Sequence, residues 1–276
     1  EKSKDITTWS IDKLNATISK LYKASLQNDI LLKNTKLDGL DAIIVKGVNT
    51  RQLRSTLYDF LAHRVLEFYM NDETDITKPA YAFKIDDEKA FAPVGEFVTA
   101  SFKTKDTASL QHKALFLLQD ILKFHIADAS PDALIDADLI RLNFVHKVSV
   151  STEKEKLYED ALLEIEKAYP NNPAVAMAMF ARGGIYLNRG EEFEPFTKPA
   201  NQYETKRAKE LFETAYARFP KSEGGINAKN VIMQIEQPSL NLETEKVNIP
   251  QQPFRTLVKY KNIKTLYLRV IKTSRE

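Results

Sequence analysis

Apolar residues recur every three or four positions through most of the chain, which is the period of one buried face of an α-helix. Four such stripes predict helices over about 11–26, 57–68, 110–124 and 131–148. Ser130, Pro131 and Asp132 predict the start of the fourth helix, with serine as the N-cap and proline as the first helical residue. The stripes are Leu14, Ile18, Leu21 and Leu26; Leu57, Leu61, Val65 and Phe68; Leu110, Ala114, Leu117, Ile121 and Phe124; and Leu134, Ala137, Arg141, Phe144 and Val148.

From Glu153 onward the helical pattern becomes an internal repeat. Ala161, Ile165, Ala168 and Pro173 stand at offsets of 0, 4, 7 and 12, and a second set further along the chain repeats these offsets. The spacing matches the second helix of a tetratricopeptide repeat, in which small residues let two helices approach closely and proline ends the helix. We therefore expect tetratricopeptide-like helix pairs over about 153–237, with the alanines of both sets buried. The second set is Ala208, Phe212, Ala215 and Pro220.

The first helix of the repeat leaves a weaker trace. Gly183 and Tyr186 have the spacing expected for that helix, and Tyr186 and Phe212 are expected to pack between the helices. Close helix packing explains Gly183, whereas Gly224 and Gly225 are predicted to lie in a loop.

The stretch Arg189–Glu204 lengthens the turn between the two helices beyond the usual repeat period of about 34 residues. Three aromatic residues lie in this insert: Phe193, Phe196 and Tyr203. They are the candidate partner-binding residues of the chain. The alternative is that they form only a small core of the loop itself.

The composition changes after residue 238. Leu266, Leu268 and Val270 alternate with neighbouring residues at the period of a β-strand, and Lys261 with Asn262 predicts a turn. Two or three strands cannot form a stable domain alone. These strands are therefore expected either to lean on the helical body or to remain a loosely supported sheet.

The predicted fold class is mainly α. Antiparallel helix pairs form a tetratricopeptide-like α-α superhelix, and a short β segment follows it. The predicted division is a helical domain over 1–238 and a β segment over 239–276.

The charges of the chain nearly cancel. Lys and Arg number 40 and Asp and Glu 38, so the formal net charge is +2, which provides no electrostatic footprint for nucleic acid. Cysteine is absent, which excludes disulfides, thiolate catalysis and cysteine-ligated metal sites. No apolar run approaches the roughly 20 residues of a membrane-spanning helix.

Asp59, His63 and Glu67 stand four residues apart in one predicted helix and raise the question of an acid–base site. Catalysis would also need a nucleophile, a metal or an oxyanion donor within reach. The sequence contains neither a Gly-x-Ser-x-Gly elbow nor a His-Glu-x-x-His motif. Pairing between side chains four residues apart on a helix explains the column more simply. We therefore predict a structural role for these residues and no enzymatic activity.

The other histidines and one acidic cluster give no further site. His112, His125 and His146 are spread over different predicted helices and are expected at the boundary of the core. The acidic cluster lacks the interior glycine of an EF-hand loop, so we assign it to the positive end of a helix dipole. No glycine-rich phosphate loop is present, and no catalytic, metal-binding or cofactor-binding residue, and no cofactor, is predicted. The acidic cluster consists of Asp132, Asp136 and Asp138.

Three strings of the helical region carry a resemblance to a known family. TLYDFLAHRVLEFYMND (Thr56–Asp72), ITKPAYAF (Ile76–Phe83) and PDALIDADLIRLNFVH (Pro131–His146) resemble the helical N-terminal region of large bacterial α2-macroglobulin-like proteins. A fourth string, FRTLVKYKNIKTLYLRVIK (Phe254–Lys272), resembles the opening strands of their first macroglobulin domain. The resemblance implies that 239–276 begin a macroglobulin-like β-sandwich.

The resemblance also implies a location and a setting. It implies a periplasmic or outer-membrane-attached protein of a Gram-negative cell, whose signal peptide is expected to have been removed. Members of the family present a bait segment to a protease and entrap it, in many cases through a Cys–Gln thioester. This sequence offers no thioester cysteine and no identifiable bait, so inhibition of proteases is expected of the full-length protein. The expected partners of this chain are later domains of the same protein or another envelope protein.

Two functions from different classes remain open. The first is a non-catalytic interaction module of an α2-macroglobulin-like endopeptidase inhibitor. The second is an envelope ligand-binding or scaffold protein with tetratricopeptide-like helices, such as a glycan-binding surface lipoprotein. The second function requires exposed aromatic side chains on long loops, and only the insert at Arg189–Glu204 provides a candidate.

Overall fold

A computed structural model describes residues 5–45, 47, 50, 52–71, 79–249, 252–269 and 271. The chain is mainly helical and carries a two-stranded antiparallel sheet near its C-terminal end, which confirms the predicted fold class. The helices are α1 (Ile11–Ser25), α2 (Asp29–Asn34), α3 (Leu57–Met70), α4 (Val94–Phe97), α5 (Leu110–His125), α6 (Asp132–Val148), α7 (Lys154–Ala168), α8 (Val175–Glu191), α9 (Glu204–Arg218) and α10 (Glu223–Glu236), and the strands are β1 (Ser239–Thr244) and β2 (Thr256–Lys261).

Helix α1 forms where the sequence predicts it, but its apolar stripe is covered only in part, since Leu26 packs against the core while Ile18 and Leu21 are exposed. Leu21 is 65% exposed, whereas Ser19 is buried on the adjacent face. The hydroxyl of Ser19 lies 3.4 Å from that of Tyr69 in α3, and the ring of Tyr22 lies 5.4 Å from that of Phe68. Contact with α3 therefore decides which face of α1 is covered.

Helix α3 begins at a capping box. The backbone N–H of Asp59 donates to the Thr56 hydroxyl at 3.2 Å, and the backbone N–H of Thr56 donates to the Asp59 carboxylate at 3.0 Å. Two donors at the helix start are satisfied in this way. Most buried residues of α3 follow a residue of the predicted stripe by one position in the sequence. The buried residues are Tyr58, Asp59, Ala62, Val65, Leu66 and Tyr69.

Helix α6 packs against α5 and buries an arginine within its apolar stripe. Arg141 is only 1% exposed. Its Nε donates to the Asp138 carboxylate at 2.7 Å, and a second guanidinium nitrogen donates to the backbone carbonyl of Ala90 at 2.7 Å. Burial of this charge is tolerated because it is both paired and hydrogen-bonded.

The predicted start of α6 is wrong by one residue. The helix begins at Asp132, so Pro131 occupies the N-cap position, and its side chain makes no capping hydrogen bond. The hydroxyl of Ser130 donates to the carboxylate of Asp132 at 2.8 Å, so it is engaged with a side chain.

Helices α7 to α10 form three successive antiparallel pairs. In the α7–α8 pair, Arg182 contacts Glu166, and Tyr186, which comes later in α8, contacts Glu159, which comes earlier in α7. The two helices therefore run in opposite directions. Between α8 and α9, a Cβ built on Gly183 would lie 2.4 Å from the Phe212 ring. The absent side chain at Gly183 therefore makes room for Phe212, as the repeat predicts. Between α9 and α10, Lys209 pairs with Glu236 at 2.8 Å.

The alanines of the repeat do not share one environment. Ala208 and Ala215 in α9 are fully buried, and so are the predicted packing residues Phe212 and Tyr186. Ala161 in α7 is only partly buried and Ala168 is exposed, which contradicts the prediction that all of these alanines are buried. The two α7 alanines line a cavity that is also lined by residues 88–96 and by Asp138 and Arg141 of α6.

The second glycine pair is also placed differently from its prediction. Gly224 and Gly225 lie in the first turn of α10 and not in a loop. A Cβ on Gly224 would lie 2.2 Å from the backbone of Ala176 in α8. The glycine therefore allows α10 to approach the α8 backbone closely.

The sheet is a hairpin that is exposed to solvent. Its register pairs Leu240 with Tyr260 and Leu242 with Val258, so these four side chains share one apolar face. On the other face Lys259 pairs with Glu243 at 2.8 Å. No second sheet covers the apolar face among the described residues.

The turn predicted after β2 is present, but the predicted third strand is not. Asn262 has a φ of 56° and donates to the backbone carbonyl of Ile235, at the end of α10, at 2.7 Å. The following stretch, including Leu266 and Leu268, forms no strand and is exposed. Within the described ranges no neighbouring strand supplies it with a hydrogen-bond ladder. Val270 lies outside the described residues.

Candidate functional site

The insert between α8 and α9 is an ordered turn. Helix α8 runs into the insert as far as Glu191, and a short 3-10 helix, Pro199–Tyr203, leads into α9. Between them the N–H of Lys198 donates to the carbonyl of Glu194 at 2.9 Å. The side chain of Lys198 also pairs with Glu192 at 2.7 Å. These bonds close a five-residue turn whose central residue is Phe196.

The three aromatic residues of the insert do not form a core of their own. Phe196 is 97% exposed and Tyr203 is 69% exposed, while Phe193 is partly buried. The loop-core interpretation of these residues is therefore wrong, at least for Phe196 and Tyr203. Both rings are therefore accessible to a partner at the surface of the insert.

A polar network lies beneath the insert and joins three helices. The hydroxyl of Tyr186 donates to Glu159 at 2.7 Å and accepts from Arg182 at 3.0 Å and from Arg207 at 2.9 Å. The guanidinium of Arg207 also lies over the Tyr186 ring, 3.8 Å from its centre. Arg189, the first residue of the insert, pairs with Glu159 at 2.8 Å. The network therefore fixes the base from which the insert projects.

Asp59, His63 and Glu67 do not form a connected column. The Nδ1 of His63 lies 2.8 Å from the backbone carbonyl of Asp59, not from its carboxylate. Glu67 is exposed and lies 3.6 Å from Arg64. The explanation by direct pairing of side chains four residues apart is therefore wrong in detail. The residues are not assembled as an acid–base relay.

The carboxylate of Asp59 instead binds His125, and the prediction that His125 lies at the core boundary is wrong because it is buried. His125 is 3% exposed. Its Nε2 lies 3.1 Å from the Asp59 carboxylate, and its Nδ1 lies 2.7 Å from that of Asp128. The pattern gave no signal for this contact because Asp59 and His125 are 66 residues apart in the chain.

His112 and His146 are partly exposed, as predicted for boundary residues. A ring nitrogen of His112 lies 2.7 Å from the carbonyl of Phe102. His146 stacks on Tyr158 at 4.3 Å between ring centres and bonds Glu155 at 2.8 Å. Each histidine is thus occupied by a different local structure.

The acidic residues of α6 are dispersed. Asp132 accepts a hydrogen bond from Asn172, Asp136 pairs with Arg54, and Asp138 pairs with Arg141. Only Asp132 lies in the first turn, so the dipole explanation does not extend to the other two. Within the described ranges, no group of three or more acidic or histidine side chains is placed to hold a metal ion.

Comparisons with known proteins add no family to this picture. No protein-family model, no curated protein and no solved structure matches the chain. Across the part of the chain that the structure describes, no helix is both long enough and apolar enough to cross a bilayer.

Proposed function

We propose that this chain is a non-catalytic interaction module of an α2-macroglobulin-like protein of the bacterial cell envelope, and that it acts by docking a protein. The observation that carries the docking proposal is Phe196, a fully exposed ring at the tip of a closed turn. A turn that is already ordered loses little conformational freedom on binding. Aromatic side chains that become buried in an interface contribute much of its binding energy.

The family part of the proposal is supported by the sequence strings and by the hairpin. The apolar face formed by Leu240, Leu242, Val258 and Tyr260 is what a first pair of strands presents before a facing sheet covers it. Under this proposal 239–276 begin a macroglobulin-like β-sandwich. The partner is a later domain of the same protein or another envelope protein.

The whole protein is then a protease inhibitor of the periplasm or the outer membrane surface, and its trapping step lies outside this chain. A trap of this kind works through cleavage of a bait, through rearrangement, or through a reactive thioester. The near-zero net charge of the chain, +2, favours docking through apolar and hydrogen-bonded contacts over long-range steering.

The docking proposal is tested by changing Phe193, Phe196 and Tyr203 together to alanine. Immobilised chain is incubated with the purified remainder of the full-length protein and, separately, with envelope extract. We expect a specific partner to be retained by the unchanged chain and lost by the triple variant. The control variant replaces three exposed apolar residues on other helices and should retain the partner. Its substitutions are Leu21→Ala, Ile226→Ala and Met233→Ala.

Unchanged retention by the insert variant would remove the insert from the proposal.

The assignment as a non-inhibitory module is tested separately, by adding the isolated chain to a panel of endopeptidases. We expect no stoichiometric inhibition, and inhibition by the chain alone would contradict the assignment.

The exposed insert also favours a second candidate function. An envelope ligand-binding protein, such as a glycan-binding lipoprotein, needs exposed aromatic rings on a long loop, and Phe196 with Tyr203 meets that need. Titration calorimetry with soluble oligosaccharides distinguishes the two functions. Saturable heat that disappears in Tyr203→Ala would favour glycan binding, whereas the docking proposal expects no such heat.

A further inference from the structure

The exposed side of α7 lines a cavity of about 550 Å³ that the docking proposal does not use. Residues of α7 line one part of it, residues 88–96, which include the start of α4, line another, and Asp138 and Arg141 of α6 also contribute. The cavity has the size of sites that hold organic groups, roughly 300–1,000 Å³. We refer to it as the α7 cavity.

Part of the lining of the α7 cavity is apolar. Pro93 and Val94 contribute to it from one segment, and Leu157, Ala161 and Ala168 from α7. Burying such surface is favourable by roughly 25 cal/mol per Å². An apolar side chain of a ligand would therefore gain by entering the cavity.

The charged residues of the α7 cavity are mainly acidic. Its carboxylates outnumber its cations, which are Lys89 and Arg141, and Arg141 is already paired with one of the carboxylates, Asp138. Glu164 also pairs with Lys167, which lies at 60% side-chain exposure. The remaining excess of negative charge favours a cationic ligand. The carboxylates are Glu88, Glu96, Asp138, Asp160 and Glu164.

The internal repeat shows what kind of surface fits this side of α7. Ala161 and Ala168 stand at the offsets of Ala208 and Ala215, which neighbouring helices bury completely in α9. Small residues at these offsets permit another backbone to approach closely. In α7 the same positions line the cavity, and within the described residues Ala161 is only partly buried and Ala168 is exposed, so this side of α7 has the surface for a packed segment.

We propose that the α7 cavity binds a peptide segment of a partner protein, with apolar residues entering the cavity and lysine or arginine beside the acidic rim. The small residues of α7 admit the backbone, the apolar walls take the anchoring side chains, and the carboxylates select the basic flanks. This site is a second surface, separate from the insert, and it does not depend on the proposed function of the insert.

The probe is a fluorescein-labelled amphipathic peptide with leucine at helical spacing and lysine elsewhere. A matched peptide carries glutamate in place of lysine. Binding is followed by fluorescence anisotropy at two salt concentrations. We expect saturable binding of the lysine peptide that weakens, but persists, in high salt, and no saturable binding of the glutamate peptide.

Two variants test the location. Ala168→Trp fills the cavity from an exposed position, and Glu96→Lys reverses a charge on the rim. Each should weaken binding about tenfold or more. Ala217→Trp on α9 and Asp120→Lys on α5 make the same changes at exposed positions outside the cavity, and they should leave the affinity unchanged.

Circular dichroism confirms that each variant is folded before binding is compared. Equal affinity in the cavity variants, equal losses in the control variants, or no saturable binding of the lysine peptide would each overturn the proposal. Loss of binding in the triple alanine variant of the insert would also overturn it, because the peptide would then be bound at the insert.

Discussion

At the scale of single residues, two neighbouring histidines have opposite electrostatic environments. Burial alone would lower the pKa of His125, but its hydrogen bonds to Asp59 and Asp128 outweigh burial and raise it. Burial, helped by the nearby Arg54 cation, lowers the pKa of His63 to about 4. Folding therefore favours the charged form of His125 and the neutral form of His63.

The stability of the chain should show the titration of His63 in mild acid. The unfolded chain takes up a proton at His63 as the pH falls through about 6.5, whereas the folded chain does so only near 4, so stability falls over this window. His63→Gln removes this effect and should lose less stability than the unchanged chain between these pH values, by up to roughly 3 kcal/mol. Urea denaturation across the pH range measures the difference.

His125→Gln provides the opposite control. The raised pKa of His125 means that its contribution is fully present below the ordinary value of 6.5 and is lost as the pH rises through the folded-state value. The free energy of unfolding that this variant loses relative to the unchanged chain should therefore be larger at pH 6 than at pH 9. Parallel pH profiles for the His63 variant and the unchanged chain would show that His63 does not titrate in this way.

The repeat supplies a matched pair of alanine substitutions. Ala215 is fully buried between helices, whereas Ala168, at the same repeat offset, is exposed. Ala215→Leu should overpack the crossing and cost about 1–3 kcal/mol. Ala168→Leu should change the free energy of unfolding by less than about 0.5 kcal/mol. Equal costs for the two variants in urea denaturation would contradict the packing described here.

The alanine positions could be predicted from their offsets, but their burial could not. Offsets report which residues share a face of one helix, whereas burial depends on which other helix reaches that face. The partner of His125 was hidden for the same reason, since Asp59 is remote in sequence. Local periodicity carries no information about such pairings.

At the scale of elements, the hydroxyl of Tyr186 ties α7, α8 and α9 together through Glu159, Arg182 and Arg207. Tyr186→Phe keeps the ring but leaves these charged groups without a shared partner. Each group keeps another partner, such as Arg189 for Glu159 and Glu166 for Arg182, so the expected cost is that of hydrogen bonds to charged groups, about 1.5–3 kcal/mol. Tyr260→Phe on the exposed hairpin serves as the control and should be neutral. Thermal or urea unfolding compares the two variants, and similar effects would mean that the network contributes little.

Element prediction succeeded where one face of a helix is buried. Helices α5, α6 and α9 show their predicted stripes or offsets because core contacts enforce the period. The stretch around Leu266 and Leu268 alternates like a strand, but no strand in the described part of the chain pairs with it. Alternation describes side-chain placement, while a strand also needs a neighbour for its backbone groups.

At the scale of the whole molecule, the helical body and the hairpin differ in how they are supported. Every residue of β1 is exposed, and so is every residue of β2 except one that is partly buried. In contrast, α8 and α9 each bury one face. Exposed backbone hydrogen bonds open more readily than buried ones. Amides of 239–244 and 256–261 should therefore exchange much faster than those of 175–191 in hydrogen-exchange mass spectrometry. Equal protection of the two regions would show that the hairpin is an integral part of the helical body.

The contact between Gly183 and Phe212 restricts how the sequence can evolve. A Cβ at position 183 would lie 2.4 Å from the ring at 212, so position 183 cannot be enlarged while that ring keeps its place. A larger residue at 183 becomes acceptable only after the ring at 212 has been replaced by something smaller. The order in which the two substitutions arise therefore decides whether the intermediate sequence still folds.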